Sequence, residues 1–263
     1  MPEQALGRAL SGGQQARVTA ATAAPRADWA LPPPITGAWR ELAPAEAAAL
    51  IVNLGAVADL PAGDEPFVIA HAFDRVRMRA LPCYGERARL LELQGHDGDG
   101  TALLVSFILG PWGYTLLDGT SPPLHTLNEA HGVTLDTEGQ AHDYLLLFCR
   151  YVRSSEGAFE VIETMDQIDH RLDDADARAS IDAHIAPINL GGRDAEGRWL
   201  ASARLLYGDG LFAAEFAISA AGMVEMQDDD PLLHDLPIAQ EAWDPPFRMV
   251  PETRPETTET APD

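Results

Sequence analysis

Three rhythms of apolar residues run along this chain, and each predicts a different kind of element. From Pro44, the stretch PAEAAALIV puts a proline where a first helical turn accepts one and continues with strong helix formers, which predicts a helix. Residues 67–80, FVIAHAFDRVRMRA, fit a strand and a helix alike. RARLLELQ, TALLVSFILG and YTLLDG are apolar runs of strand length. GHDGDG and PWG separate them, and their Gly, Asp and Pro residues form tight turns, so three successive antiparallel strands are expected.

A helical period returns in DTEGQAHDYLLLFCRYVR. Asp136 is the expected N-cap, and Tyr144, Leu147, Phe148 and Tyr151 recur at helical spacing. Arg150 and Arg153 fall where cations complement the end of the helix. AFEVIE then reads as a short strand. Residues 165–184 are acidic, with only Ile168, Leu172 and Ile181 to bury, and suit a surface helix or a linker. RWLASARLLY, LFAAEFAIS and MVEMQ form a second strand triplet.

The two triplets echo each other. Phe107 and Phe216 lie 109 residues apart, and Gly113/Gly222, Pro122/Pro231, Leu124/Leu233, His125/His234 and Leu127/Leu236 share that offset. SPPLHTL closes the first series and DPLLHDL the second. A fixed offset is the mark of an internal repeat. An α+β fold follows, with two antiparallel β-meander units at about 86–127 and 197–236, closed by a structural joint made twice, and a helical middle segment between them. Residues 1–35 read as a mobile N-terminal arm and 249–263 as a disordered acidic tail. The body is then 36–248, with halves at about 36–163 and 185–248 and an acidic helical connection.

Composition sharpens this picture. The formal net charge is -23, and every basic residue is Arg because the chain holds no Lys. That removes Schiff-base and phosphate-loop lysine chemistry. Strong acidity argues against nucleic acid and against an anionic membrane, and favours solubility and a partner with a basic surface. Arg without Lys, beside abundant Ala, Gly and Pro, suggests a GC-rich bacterial genome. No run of about 18 apolar residues exists and the first residues lack an apolar signal core, so a cytoplasmic location is the default expectation. Cys83 and Cys149 make no disulfide framework.

The candidate chemistry is sparse. His125 and His234, if brought together by pseudo-symmetry, could ligate a metal or exchange protons; as parts of a repeated joint they would bond backbone instead. The structural role carries more weight, because Ser121 becomes Asp230 and Thr126 becomes Asp235 in the second copy. Asp118, Ser121 and His125 have the residue types of a hydrolytic relay but not the spacing of a nucleophile elbow. HDGDGT begins like a calcium loop, yet Ile108 stands where the bidentate Glu belongs, which favours a hairpin turn. Asp228, Asp229 and Asp230, and His170 with Asp173 and Asp174, are acidic sets that read first as solvated faces. Trp112 in GPWGY and Trp243 and Phe247 in EAWDPPFRMV are aromatics at turns, which either anchor partners or lid the core. No cofactor is implied. The expectation is a protein of the immunity, adaptor or defence-accessory type, with Trp112, His125, His234, Asp228, Asp229, Asp230 and Trp243 as binding residues. The alternative is a metal-dependent or other hydrolase built on His125 and His234.

Overall fold

The computed structural model describes residues 28–55, 73–154 and 157–250. Its first elements are β1 (Arg40–Glu41), α1 (Pro44–Gly55), β2 (Phe73–Ala80), β3 (Arg89–His96), β4 (Ala102–Gly110) and β5 (Gly113–Leu116). Next come α2 (Pro122–His131), α3 (Glu138–Tyr151), β6 (Arg153–Ser154), β7 (Gly157–Ala158), β8 (Glu160–Val161) and α4 (Ala175–Asp182). The chain closes with β9 (Asn189–Arg193), β10 (Trp199–Tyr207), β11 (Gly210–Ile218), β12 (Val224–Leu233), β13 (Ala242–Asp244) and β14 (Phe247–Met249). The fold is α+β, and both strand triplets form antiparallel meanders. No helix among the described residues is long and apolar enough to cross a membrane.

One sheet has the order β1-β2-β3-β4-β14-β13, and the other β12-β11-β10-β8. In each, one central strand shares a side between two short partners. β4 pairs with β14 at Leu103 and Leu104 and with β5 from Phe107 onward. β10 pairs with β9 near Trp199 and with β8 at Leu205 and Leu206.

The helix α3 lies between the sheets. Its Ala141, Tyr144, Leu145, Leu147 and Cys149 share one buried cluster with Leu90 and Ile108 of the first sheet and Trp199, Ala201 and Phe216 of the second. A helix covered on both sides cannot keep a polar stripe, which is why YLLLFC is apolar almost all round. The other face of the first sheet carries Leu91, Leu93, Val105 and Phe107 under Ala47, Ile51 and Leu54 of α1. Covered on both faces, β3 and β4 read as unbroken apolar runs. A third cluster, with Ile168, Leu172, Ile181, Leu206, Leu211 and Ile238, covers part of the far face of the second sheet. Each fully buried aliphatic side chain contributes about 1.5–3 kcal/mol.

Several expectations change. The segment at 73–80 is a strand, while 67–72 lie outside the described residues. The cap of α3 is Thr137, not Asp136: Thr137 Oγ1 accepts from the Gln140 N–H and the Gln140 side chain accepts from the Thr137 N–H. Residues 165–184 form two short 3-10 turns and α4 rather than one helix, with Asp174 accepting from Asp176 and Ala177 as the N-cap. Within the expected arm, residues 28–35 pack: Leu31 and Ile35 are buried. Residues 1–27 lie outside the described residues, as do 251–263 of the tail expected at 249–263, whose first residue, Met249, instead ends β14 opposite Leu103.

The repeated joint is also corrected. The hairpin register recurs, with Leu91 opposite Phe107 in one meander and Ala201 opposite Phe216 in the other. Phe107, however, faces α1, whereas Phe216 faces α3. The closing segments diverge completely. Pro122 and Pro123 start α2, where a fixed φ and a missing N–H suit the first turn. Their counterparts Pro231 and Leu232 lie at the end of β12, an edge strand, where a residue without an N–H is tolerated. Asp235, at φ 53, and Pro237 then prevent a helix.

Tyr144 ties the layers together. Its hydroxyl donates to the Gly222 carbonyl at 2.6 Å and accepts from Asn128 Nδ2 at 2.8 Å, and Asn128 Oδ1 accepts from Tyr84 at 2.6 Å. Gly222, at φ +78, sits so close that an added Cβ would collide with Asn128. Tyr144→Phe leaves two buried groups unpaired. It is expected to lower the unfolding free energy by about 1–3 kcal/mol, read as a lower urea midpoint at unchanged slope.

Candidate functional site

The run Arg75, Arg77, Arg79 alternates along β2, so all three side chains share one face. That face turns toward α3 and residues 28–36. Arg77 Nε donates to Glu92 Oε2 at 2.6 Å, directly across the strand pair. Glu92 Oε1 lies 3.0 Å from Arg248 Nη2 of β14. Arg248 Nη1 donates to Glu241 Oε1 at 3.2 Å, and Glu241 also accepts from Arg150 of α3. Arg150 Nη1 stands 3.1 Å from Glu160 Oε1, which accepts from Arg171 Nη1 at 2.9 Å. Pro32 O accepts from Arg77 at 2.7 Å and from Arg248 at 2.9 Å, which locks the packed end of the expected arm onto the network.

This chain of charges joins both sheets and α3 in the interior. Burial alone would raise the Glu241 carboxyl, but Arg150 and Arg248 outweigh it and hold it well below the usual range. Burial likewise disfavours a charged Arg150, and Glu241 and Glu160 overcome that and raise its pKa. Removing one member of such a buried set costs about 3–5 kcal/mol, because the partner is left desolvated and unpaired. Every carboxylate here is engaged by guanidinium groups, so the arrangement clamps the two sheets and α3 together. Its signal in the sequence was the alternating Arg run inside a segment whose period fitted two elements.

A second polar cluster fastens the same region from the side. His142 Nε2 lies 2.8 Å from Glu163 Oε1, Thr36 Oγ1 donates to Glu163 Oε2 at 3.0 Å, and Asp143 Oδ1 accepts from Arg79 at 2.7 Å. The two carboxylates flanking the ring, Asp143 and then Glu163, push the His142 pKa up to about 9. Glu163 is the close contact; Asp143 Oδ1 stands 3.7 Å from Nδ1.

The acidic residues Asp228, Asp229 and Asp230 lie in the middle of β12, at the edge of the second sheet, where no described strand pairs with its outer side. Exposed residues run unbroken from Glu225 to Pro231. Asp228 sits directly opposite Glu215, also exposed, and Met226 opposite Phe216. Like charges in cross-strand register destabilise a sheet, and Asp is a poor strand former. Glu225 is reached by Arg198 at 3.2 Å.

The other expected site residues are scattered. The half-buried His125 ring rests 5.9 Å from Phe148. His234 is exposed just beyond β12. The structure therefore holds the two histidines on different elements, one against α3 and one in solvent. Among the described residues, no three His, Cys, Asp or Glu side chains group as a metal set. Asp118 Oδ1 accepts from the Thr120 N–H and hydroxyl, a local turn, and so makes no relay to His125. Asp97 Oδ1 accepts from the Asp99 and Thr101 N–H groups, which is turn chemistry. Trp112 is partly buried, stacked on His131 at 4.8 Å, and its ring lies over Gly110, where no Cβ would fit. Beside it runs an open groove of about 540 Å³, lined by Thr115, Pro122 and Leu127 among others. Trp243 packs on Gly119 with Arg153 at 4.5 Å over its ring, and Phe247 is buried against Phe73. Both tryptophans are thus seated against the body rather than displayed at turns.

Comparison of the chain with protein-family models, with curated proteins and with solved structures finds no match. Function must therefore be argued from these residues alone.

The His142 cluster yields a pH signature. The folded pKa, about 9, lies above the ordinary value of 6.5, so the stabilisation is fully present below about 6.5 and is lost as pH rises through about 9. The difference in urea midpoint between the wild type and His142→Gln is expected to shrink across that window and to level off above it. An unchanged difference from pH 6 to pH 10 would show that the ring is not charged in the fold.

Proposed function

We propose that this protein acts by binding another protein in the bacterial cytoplasm, and that β12 is its docking strand. The observation that carries the reading is a ten-residue edge strand, exposed and acidic from Glu225 to Pro231, whose outer side pairs with no strand among the described residues. Its free N–H and C=O groups can accept an added strand, as in β-augmentation, while its charge selects a partner that presents arginines or lysines.

Edge strands are also charged merely to prevent aggregation. Here three consecutive aspartates alternate between the two faces, and one opposes Glu215, a like-charge pair that protection of an edge does not call for. Local rules are broken in this way where a surface awaits a complement. An adaptor, an immunity protein or an accessory subunit of a defence system would use such a strand.

The test is capture from the native host at low salt, with wild type and with an Asp228→Asn, Asp229→Asn, Asp230→Asn triple variant side by side. The wild type is expected to retain a basic protein that elutes as salt rises, since exposed charge pairs are screened. The triple variant, folded by circular dichroism, is expected to bind it at least about tenfold more weakly. Equal capture by both chains would remove β12 from the interface.

A further inference from the structure

The two faces of β12 carry different chemistry. Residues directly opposite each other in an antiparallel pair share a face, and β11 supplies the reference. Ala214, Phe216 and Ile218 of β11 are buried with α3, so their partners Asp229, Met226 and Val224 lie on the face toward α3. Phe212 packs against the same cluster, which places Pro231 on that face too. Ala213, Glu215 and Ala217 alternate with these, so Asp230, Asp228 and Glu225 lie on the opposite face. Gln227 has no partner in the register. That bulge is what separates Asp228 from Met226, since residues two apart in a regular strand share a face.

On the face away from α3, Asp228, Asp230 and Glu215 are all exposed, and Asp228 stands directly opposite Glu215. The third acid of β12 on this face, Glu225, lies 3.2 Å from Arg198. Asp228 accepts from the Asp229 N–H at 3.1 Å, a bond within the strand. None of Asp228, Asp230 and Glu215 meets a cation among the described residues. On the face toward α3, Val224 is half-buried against the core cluster, Met226 is 40% exposed and Pro231 is exposed, with Asp229 as the acid between them. Unanswered acid is therefore concentrated on one face and uncovered apolar surface on the other.

We infer that β12 takes a partner strand of alternating character, with arginine or lysine at every second residue and apolar residues between them. This rests on the reading of β12 as a docking strand and specifies what that strand accepts. In an added strand, backbone bonds hold the segment and alternate side chains decide which segment is held. Basic side chains two apart would lie beside Asp228 and Asp230, with Glu215 behind them on the same face. The residues between would lie beside Met226 and Pro231 and continue the apolar layer that Phe212 and Val224 begin. A second copy of β12 is a poor occupant, because its own acids would face these. A uniformly basic segment is poorer as well, because half of its cations would meet Met226 and Pro231. The three consecutive aspartates are thus unequal: Asp228 and Asp230 select the partner's cations, and Asp229 contributes little.

The test uses the folded full chain and two end-blocked peptides of one composition, VRVRVRV and VVRRRVV, titrated at low salt. Both peptides carry the same charge, so general attraction to a chain of net charge -23 is common to them. The alternating peptide is expected to bind at least about fivefold more tightly. Asp228→Asn and Asp230→Asn are each expected to weaken it about threefold, and Asp229→Asn by less than about half as much. Asp228→Asn also removes a like charge opposite Glu215, so its urea midpoint is expected to hold or rise, which separates lost binding from lost folding. Equal affinity of the two peptides, or equal weakening by all three substitutions, would overturn the two-faced pattern and leave β12 as the docking strand. Binding of neither peptide, or binding that no substitution changes, would remove β12 from the interface and the pattern with it.

Discussion

Arg248 stands where the parts of the fold meet. Its guanidinium sits where β14 meets the first sheet, and it touches Glu92, Glu241 and the Pro32 carbonyl at once. Through Glu241 it reaches Arg150 on α3, and through Arg150 it reaches Glu160 and the start of the second sheet. Apolar packing alone would allow the sheets to slide on α3, since hydrophobic attraction has no direction. The bonds of this network are directional and intolerant of a lost partner. They fix the segment from 28 to 36, the last hairpin and the central helix in one arrangement.

That constraint explains the division of labour along α3. Its first turns carry His142 and Asp143, which hold Glu163 and Arg79. The middle, from Tyr144 to Leu147, is apolar on every side because sheets cover it on both. The last turn brings Arg150 inward, where a helix C-terminus favours a cation, and Tyr151, whose hydroxyl donates to Ser106 Oγ of the first sheet at 2.8 Å. Polar groups at both ends therefore set the helix in register while its centre supplies burial.

Much of this was legible before the structure. The meanders follow from apolar runs broken at GHDGDG, PWG and GDG, because turn residues and strand-length runs act locally. The helix at 138–151 follows from its period. The ambiguous segment before Ala80 resolves as a strand only because Arg77 finds Glu92 across the ladder, a long-range fact. Leu31 and Ile35 looked like part of an unpacked arm, since nothing nearby in sequence reveals the guanidinium groups that Pro32 caps. The shared Pro-Leu-His strings misled for the same reason. Their residues agree at one offset, but a second proline in one copy and Asp235-Leu236-Pro237 in the other decide between helix and strand. Trp112 and Trp243 were legible as special positions. Their seating over Gly110 and Gly119 was not, because a missing Cβ matters only once the folded chain brings a ring against it.

The distribution of charge is the last consequence. A chain with a formal charge of -23 keeps its surplus of arginine inside and its surplus of acid outside. Arginine suits this use: its planar fork satisfies carboxylates and carbonyls together, whereas a lysine ammonium offers one centre and loses its proton more readily when buried. With no lysine in the chain, every cation of the Glu92–Glu241–Glu160 network is of the forked kind. Exposed acidic residues run along β12, whose outer side pairs with no described strand. The interior arginines and the exposed aspartates are thus parts of one charge separation. The first joins two sheets and a helix, and the second lines the edge strand proposed above as the docking strand.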